Sequence, residues 1–458
     1  MSNDFSLSGI KSQAVSLKPM TFMEQDSKNA LTAVMEIIAI EASSRPVREL
    51  WQTRQLLNIL NFADERSAFW HHRIGSQTAS GQVNFAGIPV LTRADIRAQF
   101  SAEGSLLRPE NQLEVFESET SGSSGVPVRF YVSSMNTAYN INRNAAQYFI
   151  EGRDFSLNRT QVLASSKGLT EDFVVNKMPE WGGQVLNFIK TGTNKLIHNI
   201  KPEPLRIIEE LKKDKIGYLV LHSWIMEALL QYCTPSDLKD WGTEMWIPIG
   251  SGVDDGLYDK FHAAGIKIRS TYSAQEVGLI GSECLKHNGF YHVANSNVTV
   301  ESDLAGGEQV GDRRLGRLLI THLHSYAMPF IRYDIGDLGH LENDCPCGHD
   351  GPTLSAIYGR GKNLIKKADG RLHPFHIRVG NHPWLARYPE LRFRQTAIDT
   401  ITVEVGGGTA LSESEISDFL ELVQLYAGSD MMADIRAVQN IDWREDRKKL
   451  LFRNVLLS

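Results

Sequence analysis

Apolar side chains near the start of the chain recur three and four residues apart. Ala30, Leu31, Val34, Met35 and Ile38 predict an amphipathic helix. Leu50, Leu57 and Leu60 predict a second, ending near His71 and His72, which read as a solvated helix end. Residues 1 to about 28 are polar and aperiodic and read as a loose arm. From about residue 110 the pattern becomes strand, loop, helix. Gln161 to Ala164, Tyr218 to Leu221 and Met245 to Ile249 read as short buried strands. Pro204 to Lys213 and Leu257 to Ala264 read as helices between them, and Ile266 to Tyr272 as a strand leading to Glu276. Such alternation predicts α/β layers that bind ligands at strand ends.

After about residue 360 the order changes to β-β-α-β. Leu391 to Asp399 and Thr400 to Val405 are neighbouring strands, and Ser412 with Glu415 signals the capped start of a helix through Leu425. Ala433 to Val438 is the last strand, and Gly406-Gly407-Gly408 reads as a hairpin turn. We therefore expect a large N-terminal α/β domain over 1–360 and a small α+β domain over 361–458.

Composition narrows the function classes. The chain has 458 residues, too many for one core. Its net charge of −6 gives no general attraction to nucleic acid or to an anionic membrane. No run approaches the roughly 20 apolar residues of a membrane helix, and no signal peptide is readable. Four cysteines do not make a disulfide framework. The expected location is the cytoplasm.

Several segments carry candidate chemistry. Thr120-Ser121-Gly122-Ser123-Ser124-Gly125 combines flexible backbone with hydroxyl donors, which suits a polyphosphate or, equally, a surface turn. It lacks the Gly-Lys-Ser/Thr ending of a Walker loop. Tyr272 ends a predicted strand, and Ser273 and Glu276 follow it; the carboxylate can hold Mg²⁺ on phosphate oxygens, or be an exposed strand end. Gly336 lets the chain turn sharply before Asp337, which can accept from both ribose hydroxyls or serve as a turn residue. Arg360 and Lys362 sit where the two composition regimes meet, as a hinge or a basic linker. Lys448 and Lys449 lie in a basic tail segment, solvated or able to neutralise a reacting phosphate. Cys345 and Cys347, with Cys284 and either His287 or His292, can supply four ligands to structural Zn²⁺, or be reduced cysteines in a turn. His222, Trp224 and Trp246 flank strand ends and are candidates for a substrate pocket or for core packing.

In this order the segments resemble the adenylate-forming (acyl-CoA synthetase) superfamily, in its phenylacetate–CoA ligase and CapK-like branch. Ile88 to Asp95, Pro329 to Asp337 and Cys345-Pro346-Cys347-Gly348 are typical of that branch. The resemblance runs from about Trp51 to the C-terminus. It implies ATP-dependent activation of a small, aryl or other compact, carboxylic acid to acyl-AMP, then transfer to a thiol such as CoA. It implies that Thr120 to Gly125 hold the phosphates, that Ser251 and Gly252 lie near adenine and substrate, and that Tyr272 packs on the base. It further implies that Glu276 holds Mg²⁺, Asp337 the ribose with Arg360 in support, and that Lys362 is the hinge of a mobile C-terminal lid. Lys449, with Lys448 as the alternative, matches the lysine of adenylation. Val128, Gln275 and Lys448 stand where the wider superfamily often has Lys, Thr and Gly. Alternative expectations are an adenylating enzyme that serves a carrier protein or an amine in biosynthesis, and a nucleotide-binding homologue without turnover. A homodimer is common in the branch.

Overall fold

A computed structural model describes residues 25–457 apart from 76–77, 80–81, 101–113, 121–127, 165–170, 183–188, 200–202, 251, 254, 360–363, 376, 378–381, 389 and 444–450. The apolar strands of the middle region form one six-stranded sheet. Its order is Lys267–Ile268, Thr243–Ile249, Gly217–His222, Arg159–Leu163, Asn194–Asn199, Phe173–Met178. Every neighbouring pair is parallel except the last. Alternate side chains go to opposite faces. Leu219, Leu221 and Trp246 pack under the helices Pro204–Lys212 and Asp255–Ala263. Tyr218, Val220, Met245 and Ile247 pack on the other face, with residues of the helices Gln25–Glu41 and Ser134–Ile150.

A nine-stranded sheet follows. It begins with Thr271–Ala274 and Gly278–Glu283, and includes Tyr291–Val293, Thr353–Gly359 and Tyr333–Glu342. The chain passes from the first sheet to the second through Arg269 and Ser270. The α/β expectation holds, including the amphipathic helices at Gln25–Glu41 and Arg45–Arg66.

The C-terminal strands Met432–Ala437, Thr400–Val405, Leu391–Ala397 and Phe452–Asn454 form a four-stranded sheet beside the helix Glu413–Ala427. Ser412 and Glu415 make the reciprocal cap read from sequence. The glycine triplet is not a hairpin turn. The strand before it is parallel to Met432–Ala437, and the chain runs from Gly408 into that capped helix. Gly407 N and Gly408 N bond the carbonyls of Gln439 and Val438, which ties the crossover down. The strand Leu364–Lys366 touches both parts. It pairs with Leu372–Pro374 at the edge of the nine-stranded sheet, while Gln395 Nε2 donates to the Lys366 carbonyl at 2.7 Å. Among the described residues, no helix is long and apolar enough to cross a membrane.

Candidate active site

The strands Val115–Glu119 and Arg129–Ser133 form a hairpin whose loop is the Gly/Ser run. Residues 121–127 lie outside the described residues, and with them Ser121 to Gly125. Both ends of the loop are placed. Thr120 N donates to the Val128 carbonyl at 2.9 Å, and Val128 N donates to Thr120 Oγ1 at 3.0 Å. Ser133 then caps the helix Ser134–Ile150 by accepting from Asn136 N. Thr120 therefore reaches the wall of a cavity of about 670 Å³ between this helix and the two sheets.

Glu276 lies in the turn between Thr271–Ala274 and Gly278–Glu283 and lines the same cavity. It is only 7% exposed, and Tyr333 Oη donates to its Oε1 at 3.0 Å. Gly278, at φ 67°, brings the backbone against the helix; a Cβ there would sit 2.6 Å from Asn140 Oδ1. Asp337 lines the cavity from Tyr333–Glu342, one residue after Gly336 at φ 89°. Tyr272 Oη donates to Asp337 Oδ2 at 2.8 Å. Burial first, then the Asp337 carboxylate, drive the Tyr272 phenol far above its ordinary pKa, so it stays a donor. Ser273 also lines the cavity. The Gly252 carbonyl accepts from Ser223 Oγ at 3.0 Å. Ser251, Arg360, Lys362, Lys448 and Lys449 lie outside the described residues.

Sequence reading missed Arg93. Thr92 caps the helix Arg93–Phe100 through Asp95, and Leu91 bridges to Tyr333. Arg93 Nη2 donates to the Ile335 carbonyl at 3.1 Å. Burial lowers its pKa, but Tyr333, Glu276 and Asp337 outweigh that and hold the guanidinium above its ordinary value. One cation thus faces both carboxylates of the site. The capping pattern at Thr92 and Asp95 was the available signal. The pocket candidates from the tryptophans fare differently. Trp246 is fully buried in the core on the other side of the six-stranded sheet, donating from Nε1 to the Leu221 carbonyl. His222 stacks with Trp224 at 6.2 Å.

A second cluster lies at the ends of neighbouring strands of the nine-stranded sheet. Ligand atoms of Cys284, His292, Cys345 and Cys347 all fall within 4.8 Å of one another. Cys347 Sγ is 3.4 Å from His292 Nε2. Burial, with His349 stacked at 4.1 Å, lowers the His292 pKa to about 3, leaving a neutral ring with a lone pair. The donor set suits a soft divalent ion. His287 is not in the group; its ring meets Phe290 at 6.2 Å, in the loop between Cys284 and the next strand.

Comparison with known proteins decides the fold. 2-Hydroxyisobutyryl-CoA ligase, in its postadenylation state with 2-HIB-AMP, superposes with a TM-score of 0.62 over 88% of this chain and 89% of its own, at 18% identity. The chain has the fold of that ligase. An acyl acid amido synthetase in complex with 2,4-DB shares the fold, with a TM-score of 0.52 over 91% of this chain and 90% of its own, at 12% identity. In sequence, 141 residues are 30% identical to a phenylacetate–coenzyme A ligase of Thermus thermophilus. That match spans 30% of this chain and 30% of the relative. No protein-family model matches the chain.

Proposed function

We propose that this protein activates a carboxylic acid with ATP, forming acyl-AMP and pyrophosphate, and passes the acyl group to the thiol of CoA. The observation that carries this is the meeting of Thr120, Glu276 and Asp337 on one cavity from three distant segments. The similarity to CoA ligases supports CoA as acceptor. The amido synthetase likeness keeps an amine as the second reading.

The chemistry follows from the residues. Asp337, oriented by Tyr272, accepts hydrogen bonds from the ribose hydroxyls. Thr120 and the loop it opens hold the phosphates. Glu276 fits Mg²⁺: it is a recessed carboxylate held at one oxygen by a phenol, with no hydrogen bond to the other oxygen among the described residues. The ion would offset phosphate charge there. Arg93 adds positive charge beside both carboxylates. The C-terminal unit, hinged near Lys362, brings Lys449 or Lys448 to the reacting groups.

The test is pyrophosphate release and ATP–pyrophosphate exchange across a broad acid panel. Acid-dependent exchange is the expected result, and its absence over the whole panel overturns the reading. Product mass after incubation with CoA, an acyl-carrier protein or amines identifies the acceptor. Asp337→Ala is expected to raise KM for ATP by about tenfold to a hundredfold, the worth of one or two charge-assisted hydrogen bonds, with kcat changed less. An unchanged KM would remove Asp337 from the ribose.

We also propose that Cys284, His292, Cys345 and Cys347 hold one structural zinc ion that staples strand ends beside the site. Metal analysis of the purified protein is expected to give one zinc per chain. Cys345→Ser or chelation is expected to lower Tm by roughly 5 °C or more. Protein containing no zinc would refute the assignment.

A further inference from the structure

The end of the cavity remote from Glu276 and Asp337 is charged, with Glu151, Arg153 and Arg159 in its lining. The cavity runs along the helix Ser134–Ile150, past Asn140, Asn144 and Gln147, to Glu151, just beyond the helix end. From Asn140 to Glu151 is eleven residues, about 16 Å of helix. On the opposite wall, Ile249 lies level with His222, and Tyr218 lies level with Arg159. Four residues of strand separate the two levels, about 13 Å. Between the nucleotide end and the far end Val220, Ile247, Ile249 and Leu279 make an apolar strip, flanked by the amides of Asn144, Gln147 and Gln161.

At the far end two guanidinium groups hold one carboxylate, and a third, that of Arg159, lines the cavity near Arg153. Arg153 Nε lies 2.7 Å and Arg269 Nε 3.0 Å from Glu151, whose side chain is wholly buried. Burial pushes the Glu151 carboxyl up, but the two arginines outweigh it and hold it ionised. Arg153 also lies 4.3 Å over the Tyr148 ring. Arg159 makes no ion pair with a carboxylate among the described residues. Its Nε donates to Asn194 Oδ1 at 3.2 Å, and it hydrogen-bonds Tyr148. Burial, with Arg153 beside it, lowers its pKa. A cation in that setting gains most from an anion brought by a ligand. Arg159 and Gln161 both line the cavity, two residues apart on the same face of their strand.

We propose that the acid activated here carries a second anionic group at the end remote from its reacting carboxylate, across an apolar spacer, and that Arg159 receives that group. The proposal rests on the acid-activating reading above. Arg153 and Arg269 are committed to Glu151 and build the platform. A carboxylate and a phosphonate share the required chemistry, and the choice of probes separates them.

The experiment compares acids of matched length in pyrophosphate release. Adipic, suberic and 4-carboxyphenylacetic acids, and an ω-phosphonoalkanoic acid, are set against hexanoic, octanoic and phenylacetic acids. The expected kcat/KM favours the better anionic probe about tenfold to a hundredfold over its neutral counterpart. Arg159→Met is expected to collapse that ratio mainly through KM for the anionic acid. Arg159→Glu is expected to shift preference toward ω-amino acids, a change that a merely structural arginine would not produce. Efficient use of the neutral acids, with no gain from the distal anion, would overturn the inference and leave acid activation standing. No activation of any acid would overturn both.

Discussion

Glu276→Ala is expected to lower acid-dependent ATP–pyrophosphate exchange by about a hundredfold to a thousandfold, the loss that follows removal of one preorganised charge-stabilising group. The effect is expected mainly in kcat and in the Mg²⁺ dependence, because the phosphates carry most of their charge where this carboxylate would hold the ion. Glu276 is buried at the turn between two strands, and Tyr333 fixes it from below. Its removal also releases Arg93 and the Tyr333 phenol from their partner. Glu276→Gln separates charge from hydrogen bonding. Gln keeps an acceptor for Tyr333 yet loses the negative charge, so it should fail nearly as badly as Ala. Full activity of the Gln variant, measured over a range of Mg²⁺ concentrations, would show that Glu276 only braces Tyr333.

How much of this was legible before the fold was known depends on what each signal measures. Helical and alternating patterns report burial, so the amphipathic helix at Gln25–Glu41 and the parallel strands around Tyr218 and Met245 were readable. The segments proposed to bind nucleotide stand out because glycine, hydroxyl and carboxylate types crowd into short stretches, and three of their residues, Thr120, Glu276 and Asp337, line one cavity. The far end of the cavity was not readable. Gln161 lies in a stretch whose apolar neighbours read as an ordinary buried strand, and only the register with Tyr218 and Val220 shows which face it takes. Arg159 and Glu151 are eight residues apart in sequence but meet the same cavity because helix and strand run past each other. The Cys/His cluster shows the same limit. Cys284 and His287 have a one-turn spacing, but a loop rather than a helix follows Cys284, and His292 on the next strand takes the place. Gly406 to Gly408 misled for a related reason: a glycine triplet marks a change of direction, and whether a partner strand or a helix comes next depends on Ser412 and Glu415.

The other large effect is expected at the far end of the chain. Lys449→Ala should abolish ATP–pyrophosphate exchange, by about a thousandfold or more, while sparing transfer of the acyl group from supplied acyl-AMP to CoA. The split follows from where the lysine is carried. Lys449 lies three residues before Phe452, which is buried in the C-terminal core and opens a strand parallel to Leu391–Ala397. Glu276 and Asp337 belong to the other part of the chain. On the proposed mechanism, an ammonium on the C-terminal unit would help only the half-reaction in which that unit is turned toward the α-phosphate. There it would neutralise charge on the carboxylate and phosphate as they approach. The second half-reaction starts from a mixed anhydride already formed and needs no such cation. Lys448→Ala is the internal control, because the two side chains are adjacent in sequence and only one can occupy a given geometry. Loss of exchange in Lys448→Ala, with Lys449→Ala active, would transfer the role to Lys448. Retained exchange in both single variants and in the double variant would remove the basic segment from the chemistry altogether.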